Sequence, residues 1–339
     1  MKRFFTVLLI VAGSVLIGGI IWLASKDRNI LVERSIIIHQ PVNQVWQTIS
    51  NLENLPQWSP WLALDSSAKK IFSKSEQKVV TSLKWDSNLF GSGTISITKL
   101  HENDYVELKT KFSKPYRATS THTWQLKAID STTMVTWTIK KNIPFFFRFA
   151  NAKTAAILKV DIERGLKMLR ELSENGQVNS EVFYKGIVSA PAITYIGRKN
   201  KSSMSDMIPK IKIQFLGLLV MSKQQKIKVV QPMTVYYKFD FTNDNIEFSP
   251  SLKVKPEVKI KSKTFEKRKI ESGKYIKVVY KGNYEHLLNG WMAAFIYAKK
   301  EKVKISKVKP AYELYQSNSK KEGLSSSSII SDIYLPVEE

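Results

Sequence analysis

The longest apolar stretch stands near the start of the chain. Phe4 to Ala24, FFTVLLIVAGSVLIGGIIWLA, carries no charge over 21 residues. At about 1.5 Å per residue a helix of that length spans roughly 30 Å, the thickness of a bilayer core. Lys2 and Arg3 precede it, Lys26, Asp27 and Arg28 follow it, and Trp22 stands where an interfacial aromatic is expected. The pattern predicts a retained single-pass anchor, Phe4–Ala24. A cleaved signal peptide fits less well, because its apolar region is usually about 7–15 residues and small residues stand three and one positions before the cut. Cleavage after Ala24 or Ser25 would put Trp22 or Leu23 at the outer of those positions. Lys2, Arg3 and the short tail favour an N-terminus in the cytoplasm and soluble domains on the extracytoplasmic side, although Lys26 and Arg28 oppose this.

Beyond the anchor (residues 1–29) the pattern breaks into two soluble regions. In the first, residues 30–175, Ile30–Ile38 is rich in β-branched residues and predicts a strand. After Pro41, apolar residues at Val42, Val45, Trp46, Ile49 and Leu52 follow a helical period. PQWSPW then reads as a turn. Alternation predicts strands at Lys78–Trp85, Gly93–Leu100, Tyr105–Phe112, Ser120–Ile129 and Thr132–Lys140, and a long amphipathic helix, Asn151–Ser173, closes the region. This order gives an α+β helix-grip layout.

A polar linker, Ser173–Glu181, leads to the second region, residues 180–339. Here an order of strand, helix, strand, strand occurs twice. Strands in Phe183–Tyr195 break at Pro191 and lead to a helix around Met204–Met221, the strand PMTVYYKF, a loop at Asn243–Asn245 and a strand ending near Pro250. Later come Lys274–Tyr280, a helix with Leu287, Leu288, Trp291, Met292, Phe295 and Ile296 on its apolar face, PAYELYQS, a serine loop at Ser325–Ser328, and IISDIYLPV. Between the halves, Lys253, Lys255, Lys259, Lys261 and Lys263 all fall at odd positions, which on one strand would share a face. A solvated edge, or contact with lipid headgroups, would suit such a face.

Two resemblances sit on these patterns. Val32–Trp61, with SGTISITKL, FSKPYRATSTHTWQL, MVTWTIK and DIERGLKMLREL, resembles the SRPBCC superfamily of polyketide-cyclase/START-like domains. The resemblance implies a long helix over a curved sheet enclosing an apolar cavity. Trp46, Trp58, Trp61, Trp85, Trp124 and Trp137 would line that cavity or simply fill the core. VVYKGNYEHL (Val278–Leu287), PAYELY (Pro310–Tyr315) and DIYLPV (Asp332–Val337) resemble the GyrI-like fold, a duplicated β-α-β-β small-molecule-binding domain. The first half departs from that pattern in its hydrophobic helix. The resemblance implies that Glu313 faces a pocket between the halves, with Tyr280, Tyr284, Trp291 and Tyr312 as candidate neighbours. A buried carboxylate among aromatic rings suits a lipophilic cation.

Composition narrows the chemistry. Lys and Arg total 53 against 29 Asp and Glu, a net charge of +24. The excess is spread, +10 over residues 1–177 and +14 over 178–339, and no helix-turn-helix pattern accompanies it. Nucleic acid is therefore not an expected partner. The absence of cysteine removes disulfides, Cys-ligated metals and thiol catalysis. His39, His101 and His122 have no metal-ligand or dyad spacing, phosphate-loop and nucleophile-elbow motifs are missing, and no cofactor, metal or catalytic residue is expected. The expected function is a membrane-anchored binder that senses or sequesters small hydrophobic or amphipathic molecules, cations among them. The alternatives are a hydrolase or cyclase with Glu313 as acid/base, and a domain pair that recognises another protein, whose identity the sequence leaves open.

Overall fold

The computed structural model describes residues 2–76, 80–115, 117–316 and 329–338. The expected loop Ser325–Ser328 and the start of the expected strand at Lys78 lie outside the described residues. The chain forms two compact units. The first comprises Met1–Leu52, Lys70–Trp85 and Gly91–Ile162, and the second Glu53–Lys69, Asp86–Phe90 and Glu163–Glu339.

The first unit opens with helix α1 (Lys2–Ala24), long and apolar enough to cross a membrane and with its apolar residues exposed. Strand β1 (Asn29–Ile38), helix α2 (Val42–Ser50), helix α3 (Leu55–Trp58, part of the second unit) and strands β2 (Lys69–Lys74), β3 (Val80–Ser87), β4 (Gly91–His101), β5 (Tyr105–Phe112), β6 (Ala118–Ile129) and β7 (Thr132–Asn142) follow. They form a seven-stranded sheet in the order β1-β7-β6-β5-β4-β3-β2. Alternation places Val106, Leu108, Trp124, Leu126, Val135, Trp137 and Ile139 on the buried face. Trp124 and Trp137 pack with centroids 4.9 Å apart, and burial drives the neighbouring His122 down to a pKa of about 3, so it stays neutral. Trp85, Trp124 and Trp137 are thus buried in the first unit, while Trp58, on α3, is buried in the second. Helix α3 runs into the first half of the expected turn PQWSPW, and the lysine-rich strand β2 was not anticipated.

Helix α4 (Asn151–Asn175) is the long closing helix, and it passes from the first unit into the second after Ile162. Only Gly176–Asn179 separate it from the next strand, and Asn179 is held at both backbone groups: its N–H donates to Glu171 Oε2 at 3.3 Å and its carbonyl accepts from the Asn283 N–H at 2.8 Å. The expected nine-residue linker is shorter because helix and strand both extend into it.

The second unit contains β8 (Ser180–Ala190), β9 (Ile193–Gly197), β10 (Asn200–Ser202), α5 (Met204–Gln224), β11 (Val229–Asp240), β12 (Asn245–Val254), β13 (Glu266–Ile270), β14 (Gly273–Gly282), a 3-10 turn at Tyr284–His286, α6 (Leu288–Lys300), β15 (Ala311–Gln316) and β16 (Ile329–Pro336). The sheet order is β13-β9-β12-β11-β15-β16-β14-β8, with β10 paired to β12. Each half supplies a three-stranded core, β9-β12-β11 or β15-β16-β14, and the halves meet where β11 pairs β15. The outer strands are exchanged: β8 of the first half pairs β14, and β13 of the second pairs β9. The register runs on across both breaks, from Ala190↔Gly273 to Ile193↔Ile270. Gly186, at φ +79°, takes the left-handed conformation where the β8–β14 register shifts.

The five lysines do not share a strand face. Lys253 ends in β12, but Pro256 has no N–H to give the ladder, and Lys255–Lys263 form a turn and coil before β13.

Candidate functional site

Glu313 is at the centre of the second unit's sheet. It lies on β15, opposite Thr234 of β11 and Ile333 of β16, and its side chain is completely buried. Strand alternation decides its neighbours. Tyr315, two residues on, shares its face, as do Thr234 and, one diagonal step away on β11, Tyr236. Helices α5 and α6 cover this face: Phe215 of α5 meets Tyr315 with centroids 5.9 Å apart, and α6 brings Trp291 down onto the sheet.

The carboxylate accepts three hydrogen bonds from neutral donors. The hydroxyls of Tyr236 (2.9 Å) and Tyr315 donate to Oε1, and the Trp291 Nε1–H donates to Oε2 at 3.0 Å. With its own proton spent on Glu313, the Tyr315 oxygen accepts from Thr234 Oγ1 at 2.9 Å. Among the described residues no cationic side chain reaches the carboxylate. Burial raises its pKa from 4.5 to about 7, opposed in part by the donated hydrogen bonds. Burial, with the carboxylate close by, also pushes the hydroxyls of Tyr236 and Tyr315 well above the usual phenol range, so both remain donors.

An aromatic path runs outward from this group. Tyr236 meets Trp291 edge-on at 4.7 Å and stacks on Phe239 at 5.1 Å. Phe239 in turn meets Phe295 at 5.4 Å, and Phe295 meets Phe241 at 5.9 Å. Tyr236 and Trp291 are buried, while Phe239, Phe241 and Phe295 are half-buried.

Of the four neighbours expected for Glu313, Trp291 is a direct partner. Tyr284 lies beside Tyr315, with centroids 6.4 Å apart, and burial raises its pKa, with Glu313 adding to the shift. Tyr280 packs in the same apolar cluster, but its hydroxyl donates to the Asn283 carbonyl at 2.6 Å. Tyr312 is corrected: adjacent strand residues point to opposite faces, and it stacks on Tyr334 at 4.6 Å on the far side of the sheet. Sequence reasoning missed Tyr236, Tyr315 and Thr234. The signal for Tyr315 was already in PAYELY, as a period of two. Tyr236 and Thr234 depend on the β11–β15 register, which no local pattern encodes.

The elements behind the site are also fixed by polar contacts. Asn289, at the start of α6, accepts from Arg164 Nε at 2.8 Å and donates to Ser180 Oγ at 2.8 Å, while Arg164 Nη2 donates to the Pro60 carbonyl at 2.7 Å. In the 3-10 turn before α6, His286 Nε2 lies 2.5 Å from Glu171 Oε2, and Glu285 accepts from Arg170 Nη2 at 2.5 Å.

Residues 29–174 match the model of the family described as polyketide cyclase / dehydrase and lipid transport, and residues 186–338 match that of the GyrI-like small molecule binding domain. No curated protein matches the chain in sequence. Similar solved structures include XoxI from Bacillus cereus, 18% identical over 43% of this chain and 96% of that one, with a TM-score of 0.33. A conserved protein from Geobacillus kaustophilus is 14% identical over 44% and 97%, with a TM-score of 0.35. SAV2435, solved bound to tetraphenylphosphonium, is 14% identical over 46% and 94%, also at 0.35.

Proposed function

We propose that this chain, which joins a polyketide cyclase / dehydrase and lipid transport segment to a GyrI-like small molecule binding segment, captures lipophilic cations at a membrane, with Glu313 as their counter-ion. One observation carries the reading: a fully buried carboxylate, held by three neutral donors and reached by no cationic side chain among the described residues, sits at the inner end of the aromatic path. Burying a carboxylate without a countercharge is costly. A bound cation would supply that charge, and the rings would add apolar burial and cation–π contact. Since Glu313 has no exposed surface, a ligand reaches it by displacing side chains, and the half-buried Phe239, Phe241 and Phe295 are the ones nearest solvent on this route.

The net charge of +24 repels cations at a distance. Salt screens that field beyond about 8–10 Å, so contact terms decide the final step. The reading requires no turnover: the protein senses or sequesters its ligand. Helix α1 would hold it in the membrane, with both soluble units on the extracytoplasmic side as the charges of Lys2 and Arg3 favour. C-terminal reporter fusions test the sidedness, and activity only from a cytoplasm-dependent reporter reverses it.

The central experiment titrates a cationic dye such as rhodamine against wild type, Glu313→Gln and Tyr312→Phe. Loss of the charge-assisted contact should cost Glu313→Gln about 1–3 kcal/mol, while Tyr312→Phe, on the opposite face, should bind as wild type does. Equal affinity in wild type and Glu313→Gln refutes the reading. A second reading, acid–base catalysis, draws on a carboxyl titrating near 7 beside two phenols. Ester or lactone hydrolysis abolished by Glu313→Gln would favour it.

A further inference from the structure

The first unit carries an aromatic feature that its core does not use. After Pro144, residues Phe145–Ala150 (FFFRFA) form a 3-10 turn with no buried residue. Phe146, Phe147 and Phe149 are 74%, 58% and 62% exposed. Arg148 folds back over the Phe145 ring at 5.2 Å. Water is a poor solvent for three phenylalanines exposed within four residues, and an apolar cluster of this kind marks a contact surface.

Its position identifies the contact. The turn lies alongside the end of α1, with backbones within 8 Å. Just past α1 the chain is tied to the turn's two flanks. The Ile143 N–H donates to the Arg28 carbonyl at 2.9 Å, and Asn151 Nδ2 donates to the Asp27 carbonyl at 2.8 Å. The same region holds the chemistry of a membrane–water boundary: Trp22 is half exposed with Lys26 Nζ 5.1 Å over its ring, and Arg28, Arg148 and Lys153 lie close in sequence to these ties.

We propose that Phe145–Ala150 is a second membrane contact, an aromatic foot that seats in the leaflet from which α1 emerges. The phenylalanine rings enter the headgroup–acyl boundary, about 5–10 Å deep as for other interfacial segments. Arg148 keeps its guanidinium among the phosphates while its stem lies along the rings. The occupant is lipid because backbone hydrogen bonds tie the turn to the residues that directly follow the apolar helix. Headgroups of any bilayer crossed by α1 must surround it. The consequence is orientation: the first unit rests on the surface instead of pivoting freely about one helix.

The inference rests on reading α1 as a span, and the test separates the two. The chain has no cysteine, so single cysteines can be placed in the full-length protein and labelled with a polarity-sensitive fluorophore. Phe147→Cys and Phe149→Cys report on the foot, and Leu16→Cys on the span. Ser131→Cys, in the β6–β7 turn, is the control. It lies at the far end of β7, about 35 Å away at the usual strand rise. Each variant is reconstituted into vesicles of phosphatidylcholine and phosphatidylglycerol, with and without a lipid-borne quencher. The expected result is a blue shift and loss of emission at 147 and 149 as well as at 16, with Ser131→Cys unchanged. Quenching at 16 with aqueous spectra at 147 and 149 overturns the foot and leaves the span. Quenching at 147 and 149 alone supports the foot and overturns the span, and aqueous spectra at all three sites overturn both.

Discussion

Glu313 makes stability and binding respond to pH in opposite directions. Its pKa rises from 4.5 to about 7 on folding. Between those values the folded state holds a proton that the unfolded state has lost. Stability of the ligand-free protein from this group is therefore fully present below 4.5, lost as pH rises to about 7, and level above that. The difference is about 3 kcal/mol. Burial lowers the pKa of His286 and of His122, which contribute in the opposite sense, so the readout is a comparison. Between pH 4.5 and 7, the melting temperature of wild type should fall relative to that of Glu313→Gln. Parallel curves would show that the carboxyl does not titrate in this window. A cation prefers the ionised form, so dye affinity should instead rise with pH through about 7 and then level off, with proton uptake by the buffer below that point.

At the scale of elements, α6 depends on a close approach. A Cβ on Gly290 would lie 2.5 Å from Ile333 Cδ1 and 2.9 Å from Tyr280 Cβ. Ile333 is the direct cross-strand neighbour of Glu313, so this contact sets the height of α6, and of Trp291, above the site. Gly290→Ala should gain up to about 1 kcal/mol in helix propensity and lose about 1–3 kcal/mol to overpacking. The expected result is a lower melting temperature and weaker dye binding; a rise in melting temperature with binding unchanged would show that the helix can shift freely. Strands and helices with clear periodicity, such as Tyr105–Phe112 and the apolar face around Trp291, were legible from local sequence. EKRKI, which is β13, was not, because four of its five residues are charged and its pairing with β9 is what makes it a strand. The site was legible in the same uneven way. PAYELY marks Glu313, but choosing Tyr315 over Tyr312 requires the strand's alternation to be applied, and finding Tyr236 requires a register between distant segments.

For the whole molecule, the divisions suggested by composition and by packing differ. The polar residues after Ser173 suggest a cut there, yet Arg164, Arg170 and Glu171 of α4, together with Leu64, belong to the second compact unit. The Tyr184 hydroxyl donates to the Leu64 carbonyl at 3.0 Å, and His286, 2% exposed, has Glu171 as its partner. A fragment starting at Ser180 would leave Asn289 and His286 without these partners. Each buried polar group so orphaned costs about 1–3 kcal/mol. The fragment should therefore melt well below the second unit of the full chain in calorimetry, and equal melting temperatures would show that the α4 contacts contribute little.

The exchange of outer strands between the two halves of the second unit has a further consequence for how such a protein comes apart. Because β8 belongs to one half and pairs with the other, and β13 does the reverse, neither repeat is an autonomous folding unit, and each alone would display raw sheet margins. The lysine-rich coil between β12 and β13 is the covalent join between the halves. A protease that nicks it would cut a peptide bond without separating anything. The two pieces would stay interlocked like clasped hands, and the buried carboxylate cluster, with Tyr236 from one half and Trp291 and Tyr315 from the other, would survive in a protein that runs as two bands on a denaturing gel.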